Sequence, residues 1–225
     1  TAREALNCKS SSDTKNGGRS TKTPLLNRIY KARSQLMTKI TKSVINSDMV
    51  DRVDQLIILG AGLDTTYDEY ATKVFLVDFP EVLSQRPKTY ATLVPSDLCK
   101  SKIVLDSLLT SGLVTSDRIT VLVECVLAYL PPEAATDLLA TLVKALPRIT
   151  IIMYDPVLSY DKPLQCGFSE KMHRKFSQRD APLLSCARSV TEYSDRLYAA
   201  GFAHVATSTI NQALQIYLTP QERME

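Results

Sequence analysis

Five short apolar runs, rich in valine and isoleucine and separated by helix-like segments, constrain the fold of this chain most. The runs are Leu56–Leu59, Val74–Val77, Thr92–Val94, Ile119–Val123 and Ile149–Tyr154. Runs of this length and composition are typical of strands that are buried on both faces of a parallel sheet. Their alternation with helical segments predicts right-handed βαβ units, and therefore a doubly wound α/β domain with a mostly parallel sheet.

Segments of helical character lie between these runs and on either side of them. They are Pro24–Asn46, Thr65–Ala71, Glu81–Lys88, Ile103–Ser111, Pro132–Ala145 and Ser189–Ala200. After Asp155-Pro156 the pattern loosens, and Phe168–Phe176 is predicted to be a polar helix that covers one end of the sheet. His204–Thr209 is predicted as a sixth strand, whereas Ile210–Leu218 fits both a helix face and strand alternation.

Composition argues against several classes of function. The 225 residues are enough for one sizeable core, and a net charge of +3 is too small to indicate a nucleic-acid-binding face. Five cysteines without a C-x-x-C pair indicate reduced thiols rather than a disulfide framework or a zinc site. No apolar run approaches the ~18–20 residues that span a bilayer. We therefore expect a soluble, cytoplasmic protein with neither nucleic-acid nor membrane partners. We also expect a monomer.

A glycine-rich turn follows the first predicted strand, in Leu59-Gly60-Ala61-Gly62. Glycines between a strand and a helix let a ligand approach the backbone closely. A dinucleotide site would have a third glycine where this chain has Thr65. The pattern therefore suits a nucleoside ligand without a pyrophosphate, such as S-adenosylmethionine (SAM), although a plain tight turn is the alternative.

Acidic residues follow the next strands of the predicted sheet. Asp78 ends the second run, where a carboxylate can accept hydrogen bonds from both hydroxyls of a ribose. Asp97 and Leu98 follow the third run and Glu124 follows the fourth. Because a buried, unpaired carboxylate is costly, Glu124 requires a cation, either the amino group of a ligand or a nearby lysine or arginine.

The side chains that support acid–base, nucleophilic or metal chemistry are sparse. His173 lies in a charged run and His204 opens a predicted strand, and the chain has no other histidine. Neither suits a Ser-His-Asp or Cys-His arrangement, and no cluster has metal-ligand spacing. Cys125 is better explained as an inert thiol beside a strand than as a nucleophile. We expect no metal.

Several motifs together resemble those of the leucine carboxyl methyltransferase family. They are Leu59–Thr65, Val77–Pro80 and Glu124–Leu130, with Ala5–Lys9, Asn27–Arg33 and Tyr154–Pro156 in support. The resemblance implies a class I SAM-dependent methyltransferase domain with a Rossmann-like fold, an N-terminal helical segment and a helical substrate-side cap. It divides this single domain, residues 1–225, into an N-terminal helical region (1–50), a SAM-binding core (51–156), and a cap with the C-terminal part of the sheet (157–225).

The resemblance also implies which side chains bind SAM. They are Lys9, Arg33, Gly60, Gly62, Asp78, Asp97, Leu98 and Glu124. By motif position, Arg33 would pair with the methionine carboxylate and Glu124 would lie beside the methionine portion. Asp78 would hold the ribose, and Asp97 with Leu98 would frame the adenine.

The activity implied is methyl transfer to the C-terminal leucine carboxylate of the protein phosphatase 2A catalytic subunit, with S-adenosylhomocysteine as product. Such a reaction needs no general base, and Arg28, Lys31 and Lys162 are candidates for positioning the acceptor carboxylate. Methylation of a tRNA in wybutosine synthesis, methylation of a small molecule, and a non-catalytic binding module are the alternatives.

The chain departs from the family pattern on the predicted substrate side. The family has a longer insert where this chain has only the segment from Lys88 to Lys100, and an aromatic Asp-Pro motif where this chain has residues 10–20. The family also has a last strand beyond this chain's final residues. We therefore expect the substrate side and the C-terminal part of the sheet to be incomplete, and Ile210–Leu218 to be a helix.

Overall fold

The computed structural model describes residues 24–45, 55–68, 73–158, 174, 176–178 and 181–222, with side chains from Tyr30 onward. The helices are α1 (Pro24–Ile45), α2 (Pro80–Leu83), α3 (Ser101–Thr110), α4 (Pro132–Ala145), α5 (Val190–Ala199) and α6 (Ile210–Tyr217), with a 3-10 turn at Leu127–Tyr129. The strands are β1 (Gln55–Leu59), β2 (Lys73–Asp78), β3 (Thr92–Pro95), β4 (Ile119–Glu124) and β5 (Ile149–Tyr154).

The five strands form one parallel sheet in the order β3-β2-β1-β4-β5. Leu59 of β1 is level with Val77 of β2 and with Val123 of β4, so three strands end at one edge. The strand order reverses between β1 and β4, and a ligand crevice in such sheets lies outside the carboxyl ends at this point. The predicted doubly wound α/β architecture is confirmed.

Alternate residues of the strands pack on opposite faces of the sheet. Ile57 and Phe75 face a cluster that α3, α4 and α5 complete, including Leu138 of α4. Leu56 and Leu122 face the other side, against α1 and Tyr67. These strand residues are all 0–2% exposed, which explains why the strands have continuous apolar sequences.

Two further packing contacts join elements around the sheet. Helix α1 packs against α6, and Lys39 of α1 pairs with Glu222 at 2.7 Å. Residues 181–187 cover the 3-10 turn, where the Leu184 N–H donates to the Ala128 carbonyl oxygen at 2.7 Å. None of the helices described combines the length and apolar character that a membrane span requires.

Two predicted helices differ from the described structure. The described part of Thr65–Ala71, up to Asp68, forms turns, because the Asp68 N–H bonds to the Thr65 carbonyl at 3.2 Å and the Asp64 carbonyl accepts from Arg86. Residues 69–71 are not among the residues that the structure describes. The predicted helix Glu81–Lys88 ends at Leu83, since Pro87 has no N–H to donate and disfavours the helical conformation at Arg86.

The prediction of a sixth strand at His204–Thr209 is wrong. These residues form no strand, and Thr209 instead caps α6, which confirms the helical alternative for this segment. The Gln212 N–H donates to Thr209 Oγ1 at 3.3 Å, and the Thr209 N–H donates to Gln212 Oε1 at 2.9 Å. This capping box engages the N–H of Thr209, the last residue of the predicted strand, at the start of α6. Most of the predicted helix Phe168–Phe176 lies outside the described residues.

Candidate functional site

The glycine turn after β1 is held against the end of β2. Gly60 and Gly62 both have positive φ, at 65° and 54°, which explains why glycine occupies both positions. The N–H groups of Gly60 and Ala61 donate to the Val77 carbonyl at 2.8 and 3.2 Å. The Gly62 N–H donates to Asp78 Oδ2 at 2.8 Å. The two predicted ligand-binding motifs, the glycines and Asp78, are therefore in direct contact.

Gly60 also packs against the loop after β4. A Cβ atom at Gly60 would lie 2.5 Å from Val126 Cγ2, whereas one at Gly62 would have its nearest neighbour, the Gly60 carbonyl oxygen, at 4.0 Å. The first glycine is thus required both by its φ and by close packing, and the second by its φ alone. This contact brings the loops after β1 and β4 together.

Asp78 is a buried carboxylate, 2% exposed, at the carboxyl end of β2. Its two oxygens accept backbone N–H groups, Oδ1 from Phe79 at 2.7 Å and Oδ2 from Gly62 at 2.8 Å. These bonds fix the carboxylate beside the turn. A carboxylate oxygen can in general accept more than one hydrogen bond, including one from a hydroxyl group.

Arg33 of α1 and Glu124 of β4 form an ion pair, with 2.7 Å between Nε and Oε1. Both side chains are partly open to solvent, 27% and 23% exposed. Arg33 Nη1 also contacts Cys125 Sγ at 3.2 Å, and the guanidinium carbon lies 5.9 Å from the centroid of the Tyr154 ring. Burial opposes the charge of Arg33, but Cys125, Glu124 and the neighbouring tyrosines raise its pKa above the ordinary value.

Asp97 and Leu98 lie beside Asp78. The Ser96 N–H donates to the Asp78 carbonyl at 2.9 Å, so the chain that leaves β3 runs along the end of β2. Leu98 is 8% exposed, and Asp97 Oδ1 accepts the Cys99 N–H at 3.0 Å. The structure therefore gathers Arg33, Gly60, Gly62, Asp78, Asp97, Leu98 and Glu124 at one edge of the sheet.

The remaining predicted site residues are not placed there. Lys9, Lys162 and the side chain of Arg28 lie outside the described residues. Lys31 is an exposed residue of α1. In the described part of the chain, no group of three or more potential metal-binding side chains comes together.

Asp155, after β5, has an interaction that the sequence analysis did not anticipate. Its Oδ2 accepts the Tyr193 hydroxyl at 3.2 Å, and its Oδ1 accepts the Ala128 N–H at 3.4 Å. Burial raises the pKa of Asp155 to about 7, although these hydrogen bonds oppose the shift. Burial beside Asp155 also raises the pKa of Tyr193. The carboxyl group thereby ties α5 to the turn after β4, and the Tyr154-Asp155-Pro156 motif was its only sequence signal.

Cys125 is the one non-glycine residue with a positive φ, 55°, among those described. Its N–H donates to the Tyr154 carbonyl at 2.7 Å, which extends the pairing of β4 with β5 by one bond. A left-handed conformation at a residue with a Cβ costs about 1–2 kcal/mol, so the surrounding contacts must hold it in place. It turns the chain directly after Glu124.

Comparison with known proteins identifies one matching family. The family model described as leucine carboxyl methyltransferase matches residues 2–143. Human tRNA wybutosine-synthesizing protein 4 is 24% identical over 246 residues, which cover 92% of this chain and 35% of that protein. Bovine leucine carboxyl methyltransferase 1 is 22% identical over 219 residues, which cover 80% of this chain and 64% of that protein. The chain thus spans less than two thirds of either relative.

Solved structures share the fold. A DUF574 family protein from Streptomyces avermitilis superposes with a TM-score of 0.57 at 16% identity, covering 88% of this chain and 81% of that chain. A protein from Thermobifida fusca superposes with a TM-score of 0.56 at 18% identity, covering 88% and 78%. The predicted Rossmann-like class I methyltransferase fold is confirmed.

Substitution of the two glycines separates backbone strain from close packing. We expect Gly62→Ala to lower the free energy of unfolding by about 1–2 kcal/mol through its left-handed φ. Gly60→Ala adds the clash with Val126, at about 1–3 kcal/mol more. Urea denaturation measures both, and Val126→Ala should cost less in the Gly60→Ala background than in wild type. Equal costs for the two glycines, or additive effects of Gly60→Ala and Val126→Ala, would contradict this reading.

Asp155 should give the protein a distinct pH dependence. Because the folded pKa of about 7 exceeds the unfolded value of roughly 3.9, the folded state keeps a proton that the unfolded state loses. The contribution of Asp155 to the free energy of unfolding is therefore complete below about pH 4. It decreases as the pH rises to 7, by at most about 1.4 kcal/mol per pH unit.

The measurement is the unfolding free energy of wild type minus that of Asp155→Asn, taken by urea denaturation between pH 4.5 and pH 7.5. This difference should decrease with rising pH. The matched change Asp195→Asn, at an exposed carboxylate of α5, should give a flat difference. A flat difference for Asp155→Asn as well would rule out the raised pKa.

Proposed function

The chain belongs to the leucine carboxyl methyltransferase family, and from that premise we propose that it transfers a methyl group from SAM to the C-terminal leucine α-carboxylate of the protein phosphatase 2A catalytic subunit. The products are the methyl ester and S-adenosylhomocysteine. Family membership rests on the match over residues 2–143.

The Arg33–Glu124 pair beside the glycine turn is the observation that supports SAM as the cofactor. The amino-acid end of SAM carries one carboxylate and one ammonium group, which a guanidinium and a carboxylate complement in turn. Arg33 and Glu124 supply this pair of charges at 2.7 Å from each other and remain partly exposed. On binding, the Arg33–Glu124 ion pair would be replaced by two ion pairs. Arg33 would pair with the carboxylate of SAM, and Glu124 with its ammonium group.

The rest of the site fits the nucleoside end of the same ligand. The buried Asp78 carboxylate lies at the end of β2, where it can accept ribose hydroxyls. Leu98 offers an apolar side chain next to it, and Asp97 offers polar atoms to the adenine edge. Gly60 and Gly62 have no side chains of their own to block close approach of the ligand.

The reaction requires the protein to position the acceptor and the cofactor, and it requires no acid–base catalysis. When bound, SAM supplies an electrophilic methyl group on a positively charged sulfur. The acceptor α-carboxylate is already ionised at neutral pH, with a pKa of roughly 3.5, so no side chain must remove a proton. The described site residues hold the two ends of the cofactor, which leaves alignment of the acceptor as the remaining task. Orientation of this kind contributes up to about 7–11 kcal/mol in good intramolecular cases.

A cation near the acceptor would complete the arrangement. Arg28, Lys31 and Lys162 are our candidates for this positioning role, by residue type and by their places in the sequence. Arg28 and Lys31 belong to α1, the helix that carries Arg33, so they lie within one or two turns of the proposed cofactor site.

A tRNA acceptor is the second candidate. The human tRNA wybutosine-synthesizing protein 4 matches 92% of this chain at 24% identity, a likeness no weaker than that to the bovine leucine carboxyl methyltransferase. The family match supports methyl transfer in either case, so the peptide and tRNA proposals differ in the acceptor.

The acceptor is tested with SAM that carries a labelled methyl group. We expect label to appear on the phosphatase catalytic subunit and on a peptide with its C-terminal sequence, and to be released by mild base as an ester requires. The same peptide with an amidated C-terminal leucine is the matched control and should take no label, because it lacks the carboxylate.

Each other outcome would identify a different function. Label on tRNA and not on the peptide would replace the proposed acceptor. Label on a small molecule from a cell extract would do the same. Binding of SAM without transfer to any of these would indicate a non-catalytic binding module and would contradict the proposal.

A further inference from the structure

Arg86 carries a guanidinium group that is enclosed beneath the glycine turn. Its side chain is 0% exposed, and it forms an ion pair with Asp68 at 2.7 Å. Its Nη1 also donates to the carbonyl oxygens of Ala61, at 3.2 Å, and Gly62, at 2.5 Å. Nη2 donates to the carbonyl oxygen of Asp64 at 2.6 Å. One side chain therefore binds three carbonyl groups of the segment 61–64.

The hydrogen bonds of the buried Arg86 guanidinium are directed at one segment of the backbone. A charge removed from water is costly, and one carboxylate partner is enough to compensate it only when further hydrogen bonds satisfy the remaining N–H groups. Here the further bonds all go to the backbone of a single turn, the one that we propose holds SAM. The guanidinium thus acts as a template for that turn.

The peptide unit between Ala61 and Gly62 carries the effect of Arg86 to Asp78. A peptide unit is planar and trans, so its C=O and N–H groups point in opposite directions. The carbonyl of this unit accepts from Arg86 Nη1, and its N–H donates to Asp78 Oδ2 at 2.8 Å. Holding the carbonyl toward Arg86 therefore turns the N–H toward Asp78.

We propose that Arg86 is a positioning residue for cofactor binding, which sets the conformation of the glycine turn and, through the Ala61–Gly62 peptide, orients the Asp78 carboxylate. This inference rests on the proposed function, because it takes the turn and Asp78 to be a SAM site. Arg86 acts through the backbone, by its bonds to the carbonyl oxygens of Ala61 and Gly62.

Arginine is required here for its shape as well as its charge. The planar guanidinium presents several donors in a fixed fork, which reach separate acceptors at the same time. A lysine would bring one ammonium group to the same place and could not bond Asp68 and the carbonyls of 61–64 in the same geometry. Arg86→Lys therefore keeps the positive charge and removes the set of hydrogen bonds that holds the turn.

The first test is titration calorimetry with SAM on wild type, Arg86→Lys and the control Arg188→Lys, which changes an exposed arginine paired with Glu192. We expect Arg86→Lys to raise the Kd for SAM at least tenfold and Arg188→Lys to leave it within twofold. An unchanged Kd in folded Arg86→Lys would overturn the inference. Absence of binding to wild type would instead reject the proposed function.

Asp68→Asn separates positioning from general stability and gives a result even if Arg86→Lys fails to fold. The asparagine keeps an acceptor oxygen, and the bonds from Arg86 to the carbonyls remain, so the Kd should stay within about threefold of wild type although the melting temperature falls. A loss of affinity of tenfold or more in Asp68→Asn would show that the ion pair, rather than the carbonyl template, governs the site, and would contradict the inference.

Amide hydrogen exchange tests the template without any ligand. In Arg86→Lys the Gly62 amide should exchange at least tenfold faster than in wild type, while the amides in the centre of β1 keep their rates. A uniform increase at all amides, or no change at Gly62, would contradict the proposed role. This readout does not depend on SAM binding, so it remains decisive if the proposed function is wrong.

Discussion

The orientation of one peptide unit, between Ala61 and Gly62, is the constraint on which the site depends. Its carbonyl is bonded to the buried Arg86 and its N–H to the buried Asp78. The flanking glycines supply the left-handed conformations that such a tight turn needs. Because β1 and β2 end level with each other, a small change in this turn would move the backbone and the carboxylate together.

Two ion pairs at this edge of the sheet have different degrees of exposure, and this difference fits different roles. The Arg86–Asp68 pair is closed, with side chains 0% and 8% exposed, and Arg86 Nη1 and Nη2 also bond backbone carbonyls. The Arg33–Glu124 pair is partly open, at 27% and 23%. A closed guanidinium that bonds the backbone holds structure, whereas an open pair can exchange partners with a charged ligand at lower cost. We therefore assign Arg86 to the glycine turn and the Arg33–Glu124 pair to the methionine end of SAM.

Local sequence patterns predicted the strands and the site residues that follow them. Continuous apolar runs located the five strands, because a doubly covered parallel sheet requires such runs, and the same positions placed Gly60, Asp78 and Glu124 at one edge. Arg86 was missed, since nothing in its neighbourhood along the chain distinguishes it from a surface arginine after a short helix. Its role depends on contacts with residues 18 to 25 positions earlier. Likewise, His204–Thr209 has the composition of a strand, but its last residue, Thr209, is the N-cap of α6.

The edge formed by the glycine turn and Asp78 is the proposed SAM site, and the affinity of Asp78→Ala for SAM, measured by titration calorimetry, tests this claim most directly. Asp195→Ala, at an exposed carboxylate of α5, is the matched control. We expect wild type and Asp195→Ala to bind SAM equally well, and Asp78→Ala to bind at least tenfold more weakly while remaining folded. Equal affinities for all three proteins would remove Asp78 from the site, and absence of binding by wild type would contradict the claim altogether.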